Sequence, residues 1–141
     1  PTTAGTFSVT VTARDATGAS GSATFGWTIA TAGGTGAATC HVDYVKTTEW
    51  VGGFVANLTI TNTGTAPING WTLTFAFPGD QHVASAWNAT VTQTGTAVSA
   101  TNLSYNATIA PGGNTTLGWQ GTWTANDTNP SSFRVNGAAC A

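Results

Sequence analysis

Three aromatic residues stand apart in this 141-residue chain: Trp50 in EWVGGF, Trp87 in SAWNAT and Tyr105 in LSYNAT. Trp87 and Tyr105 are flanked by small or polar residues, Trp50 stands beside Val51 and two glycines, and none of the three belongs to an alternating apolar stripe. Their chemistry is that of an uncharged π face, which covers the apolar surface of a ligand. The groups that could make or break bonds are sparse. Asp15, Asp43, Glu49, Asp80 and Asp127 are scattered and lie mostly beside turns, where solvated loop acids are the rule. They define no acid–base pair at controlled separation. His41 and His82 are far apart and lack metal-ligand spacing. There is no nucleophile-elbow motif. No constellation of acid, base and nucleophile can be drawn, so we expect no catalytic residue, no metal and no cofactor.

Charge narrows the partners. Charged residues make up 6% of the chain, against roughly 25% in an average soluble domain. The basic residues are Arg14, Lys46 and Arg134, and the net charge is −2. Phosphate recognition needs clustered Lys and Arg, which argues against nucleic acid and against an anionic membrane surface. An uncharged partner fits better. Apolar runs are far too short to span a bilayer as helices.

The two cysteines, Cys40 and Cys140, bracket the last hundred or so residues. As thiols they would be small hydrophobes. As a disulfide they would join the ends of one unit, contribute up to ~4.7 kcal/mol in the chain-entropy model and indicate an oxidising, extracellular setting.

These residues need a scaffold, and period-2 alternation supplies it. No i, i+3, i+4 stripe lasts three turns, whereas short alternating runs recur. In GTFSVTVTA, Phe7, Val9 and Val11 share a face. In SATFGWTI, Ala23, Phe25, Trp27 and Ile29 do so. With DATGAS between them, residues 1–29 read as a β-hairpin. Residues 30–39, rich in Gly, Ala and Thr, read as a linker. Beyond Cys40 come FVANLTIT, WTLTFAF, TAVSATN, TTLGWQGTW and SSFRVNG, separated by NTGTAPING, PGD and APGGN. Many short strands with regular turns predict an all-β antiparallel sandwich of immunoglobulin-like or jelly-roll type over residues 40–140. Phe54, Ala56, Leu58 and Ile60 form one predicted core stripe, and Trp71, Leu73, Phe75 and Phe77 another. Trp119 joins Leu117. Trp123 shares that parity, but a bulge at Gly121 would turn it outward as an extra contact.

Taken in order, TCHVDY, the run from EWVGGF to PGDQ, the run from VASAWNAT to TTLGWQG, and NPSSFRVNGAAC resemble a family 2 carbohydrate-binding module. The first 29 residues more weakly resemble the last strands of a bacterial immunoglobulin-like domain. The resemblance implies non-catalytic binding of crystalline cellulose, or a related insoluble polysaccharide, by a secreted protein. Cellulose-binding members present three coplanar aromatics, matched here by Trp50, Trp87 and Tyr105. The third is more often tryptophan. Asn57 and Gln120 match amide-bearing positions, and Thr116 stands where a further amide is common. Gly53 matches the glycine that lets the first tryptophan lie flat. The alternative from another class is a self-assembling extracellular protein, in which the incomplete sheet of residues 1–29 pairs with a neighbouring chain. The simpler expectation for that hairpin is truncation of a longer secreted protein, with the missing strands upstream.

Overall fold

The computed structural model describes residues 5–29 and 39–141. The chain divides into two compact units, Pro1–Gly36 and Ala37–Ala141, and each is considered by itself.

In the first unit, β1 (Gly5–Arg14) pairs antiparallel with β2 (Ser20–Ile29). The Asp15 carboxylate organises the turn, accepting from the Thr17 amide and hydroxyl and from the Ala19 amide. Such Asx-type bonding is why Asp starts turns. The register sets Val9 opposite Phe25 and Val11 opposite Ala23, as the alternation requires. Val11 and Phe25 are exposed. The side chains of Phe7, Trp27 and Ile29, and the linker apart from Thr39, lie outside the described residues.

The second unit is an antiparallel β-sandwich. One sheet has four strands in the order β3 (Cys40–Trp50), β4 (Gly53–Asn62), β11 (Asn114–Thr122) and β7 (His82–Trp87). The other has five, ordered β13 (Ala138–Ala139), β12 (Phe133–Val135), β6 (Thr72–Ala76), β9 (Ala97–Asn102) and β8 (Ala89–Thr94). The short strands β5 (Ile68–Asn69) and β10 (Thr108–Ile109) pair beside them. Of these strands, β3, β7 and β8, and the two-residue strands β5, β10 and β13, lie outside the alternating runs. Trp50 stands just before β4, as the sequence suggests, and also ends β3.

The core lies between the two inner faces. Phe54, Ala56, Leu58, Ile60, Leu117 and Trp119 come from the four-stranded sheet, and Leu73, Phe75, Val98, Ala100, Phe133 and Val135 from the other. Phe75 stacks on Trp119 with centroids 5.5 Å apart, and Phe77 meets Phe75 edge-on at 5.1 Å. Both are favoured ring geometries. Asn62, a buried amide, donates to the Ala66 and Ile109 carbonyls and accepts from Gly64 N–H, so its burial leaves nothing unpaired. Cys40 and Cys140 form a disulfide across 100 residues of chain.

Candidate functional site

The outer face of the four-stranded sheet is made by the polar parity of its strands: Asn57 on β4, and Thr116, Gly118 and Gln120 on β11. Trp50 and Trp87 end the two edge strands, β3 and β7. Strict alternation would not put them on this face. On β3, Val42, Tyr44 and Lys46 lie opposite the core residues Ile60, Leu58 and Ala56, so an unbroken strand would send Trp50 inward too. Instead, Lys46 pairs with Ala56 and Thr48 with Val55, leaving Thr47 as an extra residue. A one-residue bulge reverses the phase of everything after it. Glu49 therefore opposes Phe54 on the inner side, and Trp50 opposes Gly53 on the outer side.

β7 repeats the device. Val83 opposes Gly121 and Ser85 opposes Gln120, so Ala84 is extra and Trp87 comes out opposite Gly118. In each strand the extra residue stands three positions before the tryptophan. The irregularity near Gly121 thus lies in β7. Trp123 is only partly buried and packs against the core, with its amide donating to the Gly52 carbonyl.

Both indoles lie on glycine. A Cβ added to Gly53 would meet Cε2, Cζ2 and Nε1 of Trp50, all at 2.6 Å or less. Near-equal distances to three contiguous ring atoms mean that the glycine faces the ring plane. A Cβ on Gly118 would collide with Cζ2 and Cε2 of Trp87 in the same way. Only a residue without a side chain lets a ring come so close to the strand. The other sides of the rings remain open: Trp50 is 43% and Trp87 39% exposed.

Tyr105, 70% exposed, sits in a turn built from asparagines. Leu103 N–H donates to Asn106 Oδ1, and Asn106 N–H to the Leu103 carbonyl. The core Trp71 anchors this turn, its Nε1 donating to the Asn106 carbonyl at 2.8 Å. Asn88, immediately after Trp87, has the left-handed φ of 60° that asparagine tolerates. Its Oδ1 accepts from the Tyr105 hydroxyl at 2.7 Å, and its carbonyl accepts from Asn106 Nδ2 at 2.7 Å. One residue therefore joins the second aromatic to the third.

Among the polar candidates, Asn57 stands directly opposite Gly118, while Thr116 and Gln120 flank that glycine along β11. All three are exposed and surround Trp87's bed, with hydrogen-bonding groups pointing to solvent. On the rim beside Trp50, Lys46 Nζ donates to Asp127 at 2.6 Å and to Glu49 at 3.2 Å. Burial alone would lower the lysine's pKa, but these two bonds outweigh it and the pKa rises. The Lys46 hydrogen bond holds Asp127 below the usual carboxylate range. Sequence reading missed this cluster, the Gly118 bed and Asn88. No group of three or more His, Cys, Asp or Glu suited to a metal occurs among the described residues.

A β-sandwich with ring faces laid on one sheet is the architecture of a binding module. Residues 40–140 match the family described as cellulose binding domain, and the chain belongs to that family, a non-catalytic one. The chain is 45% identical over 139 residues to endoglucanase B of Cellulomonas fimi, covering 99% of this chain and 13% of that enzyme. It is also 41% identical over 101 residues to a cellulose/chitin binding protein of Mycobacterium bovis, covering 72% and 71% of the two chains. Among solved structures, the chitin-binding domain of Chi18aC from Streptomyces coelicolor superposes with a TM-score of 0.61 at 36% identity, covering 72% of this chain and 94% of that one. The cellulose-binding family 2 domain of ScLPMO10C gives 0.58 at 29% identity, covering 71% and 97%.

Proposed function

We propose that residues 40–140 bind insoluble polysaccharide, crystalline cellulose foremost, through Trp50, Trp87 and Tyr105, with Asn57, Gln120 and Thr116 meeting hydroxyls between the rings. The observation that carries this reading is the pair of indoles laid face-down on Gly53 and Gly118. A pyranose offers C–H bonds on its face and hydroxyls at its rim. Flat rings suit an ordered sugar surface, whereas a ring on edge suits a twisted single chain. If each aromatic covers about 100 Å², three give roughly 7 kcal/mol gross at 25 cal/mol/Å². Association costs reduce that toward micromolar affinity. The disulfide fits an extracellular setting, where the module would anchor a longer polysaccharide-degrading protein.

A pull-down with microcrystalline cellulose, chitin and insoluble xylan tests the reading. Strongest retention on cellulose, lost together in Trp50→Ala and Trp87→Ala, is expected. Preferential retention on chitin would move the substrate class and keep the face. Retention unchanged in both variants would remove the face.

The exposed Val11 and Phe25 of the hairpin favour a second reading, in which residues 1–29 pair with another chain. Light scattering on the full chain and on a chain lacking these residues decides it: oligomers that vanish on deletion support pairing, and two monomers refute it.

A further inference from the structure

The chain has three basic and five acidic residues, and three of these eight meet at one point. Lys46 points toward the sandwich interior, its side chain 13% exposed. Its ammonium lies 5.7 Å from the centroid of the Phe54 ring. A charge in that position needs partners, and Glu49 and Asp127 supply them.

The Lys46–Glu49 pair depends on register. In a regular strand, residues three apart point to opposite faces. Lys46 and Glu49 share the inner side only because Thr47 is bulged between them. The ion pair therefore stabilises the bulged register against the regular one, and the bulged register is what turns Trp50 outward. Asp127 reaches Lys46 from 81 residues away, from the segment after β11. That segment is itself fixed: Asp80 accepts from the amides of Thr124, Ala125 and Asn126, and Trp123 N–H donates to Gly52 in the turn beside Trp50. The bulge residue adds its own tie, the Thr47 hydroxyl donating to the Val55 carbonyl at 3.4 Å.

We infer that Asp127, Lys46 and Glu49 form a clamp on the Thr47 bulge, and that Asp127 is a positioning residue setting the lie of Trp50 on Gly53. This rests on Trp50 belonging to the binding face proposed above. It makes the affinity for a neutral polysaccharide depend on a charge cluster held on the inner side of the strand that carries Trp50.

The test is a mutant cycle on the full chain, with adsorption to microcrystalline cellulose as one readout. The other is the ¹⁵N-correlated indole N–H resonance of Trp50, with that of Trp87 as internal control. Asp127→Asn should weaken adsorption about fivefold, the upper end for a partly exposed ion pair. It should shift the Trp50 resonance and leave that of Trp87 in place. In a Trp50→Ala background it should weaken adsorption no further. Lys46→Met should reproduce both effects, so that unfolding of one variant leaves the other to decide. Wild-type adsorption with an unmoved Trp50 resonance in the folded variants would overturn the clamp. So would an equal loss with and without Trp50. If Trp50→Ala itself adsorbs like wild type, the binding-face assignment fails instead. The resonance then decides the clamp, with movement supporting it and no movement overturning it.

Discussion

Trp50 and Trp87 occupy opposite edges of one sheet and reach its outer face by the same route. Each follows a bulge by three residues, and each rests on a glycine of the adjacent inner strand. Their supports differ. Trp50 is backed by an ion cluster at the rim and by a hairpin turn. Trp87 leads into Asn88, whose side chain holds Tyr105. The glycines differ as well. The three nearest neighbours of a Cβ on Gly53 all belong to the Trp50 ring, whereas a Cβ on Gly118 would also stand 2.7 Å from the Ala56 carbonyl oxygen. One bed is made only for the ring; the other also preserves close approach of two strands. The same display can thus be coupled to the fold loosely or tightly.

That contrast sets the order of the expected effects. Gly118→Ala should be the most damaging change. It lifts Trp87 and strains the β4–β11 pairing, so adsorption to cellulose falls and the unfolding midpoint drops, by an overpacking cost of about 1–3 kcal/mol. Gly53→Ala should lower adsorption comparably while leaving the midpoint within about 0.5 kcal/mol of wild type, since a ring open to solvent can move aside. Thermal melts beside adsorption isotherms separate the two, and equal midpoint losses would erase the distinction. Tyr105→Phe keeps the ring and removes the bond to Asn88. A loss of about 1 kcal/mol in adsorption is expected; wild-type adsorption would make the hydroxyl irrelevant to presentation.

The smallest effect concerns pH. Hydrogen bonds from Asn126, Ala125 and Thr124 amides hold Asp80 below the usual carboxylate range. A carboxyl depressed in the folded state contributes stability above its unfolded pKa of about 3.9, and that contribution is lost as pH falls through the lower folded value. Wild type should therefore lose stability below about pH 4 more steeply than Asp80→Asn. Parallel pH profiles would show that this turn is held without the carboxylate.

Alternation made the core legible. The stripes through Phe54–Ile60 and Trp71–Phe77 are buried as their period requires, and the two cysteines close the unit they bracket. It also left Trp50, Trp87 and Tyr105 unassigned, which marked them as candidates. How the tryptophans come to be displayed was not legible. A bulge is one extra residue and carries no local signature in YVKTTEW or HVASAW, while it inverts the reading of all that follows. β7 lies at the edge and is almost wholly exposed, so it shows no apolar alternation at all. The bed at Gly118 and the bond from Lys46 to Asp127 join residues distant in sequence, which spacing within one segment cannot reveal.

The central claim is that two rings lying flat on glycine make the binding surface. Adsorption isotherms on microcrystalline cellulose for wild type, Trp50→Ala and Trp87→Ala test it most directly, with unfolding midpoints as the control for folding. Losing about 100 Å² of ring contact removes roughly 2.5 kcal/mol, so each variant should bind well over tenfold more weakly while unfolding near the wild-type midpoint. Isotherms that superpose on wild type for both variants would contradict the account.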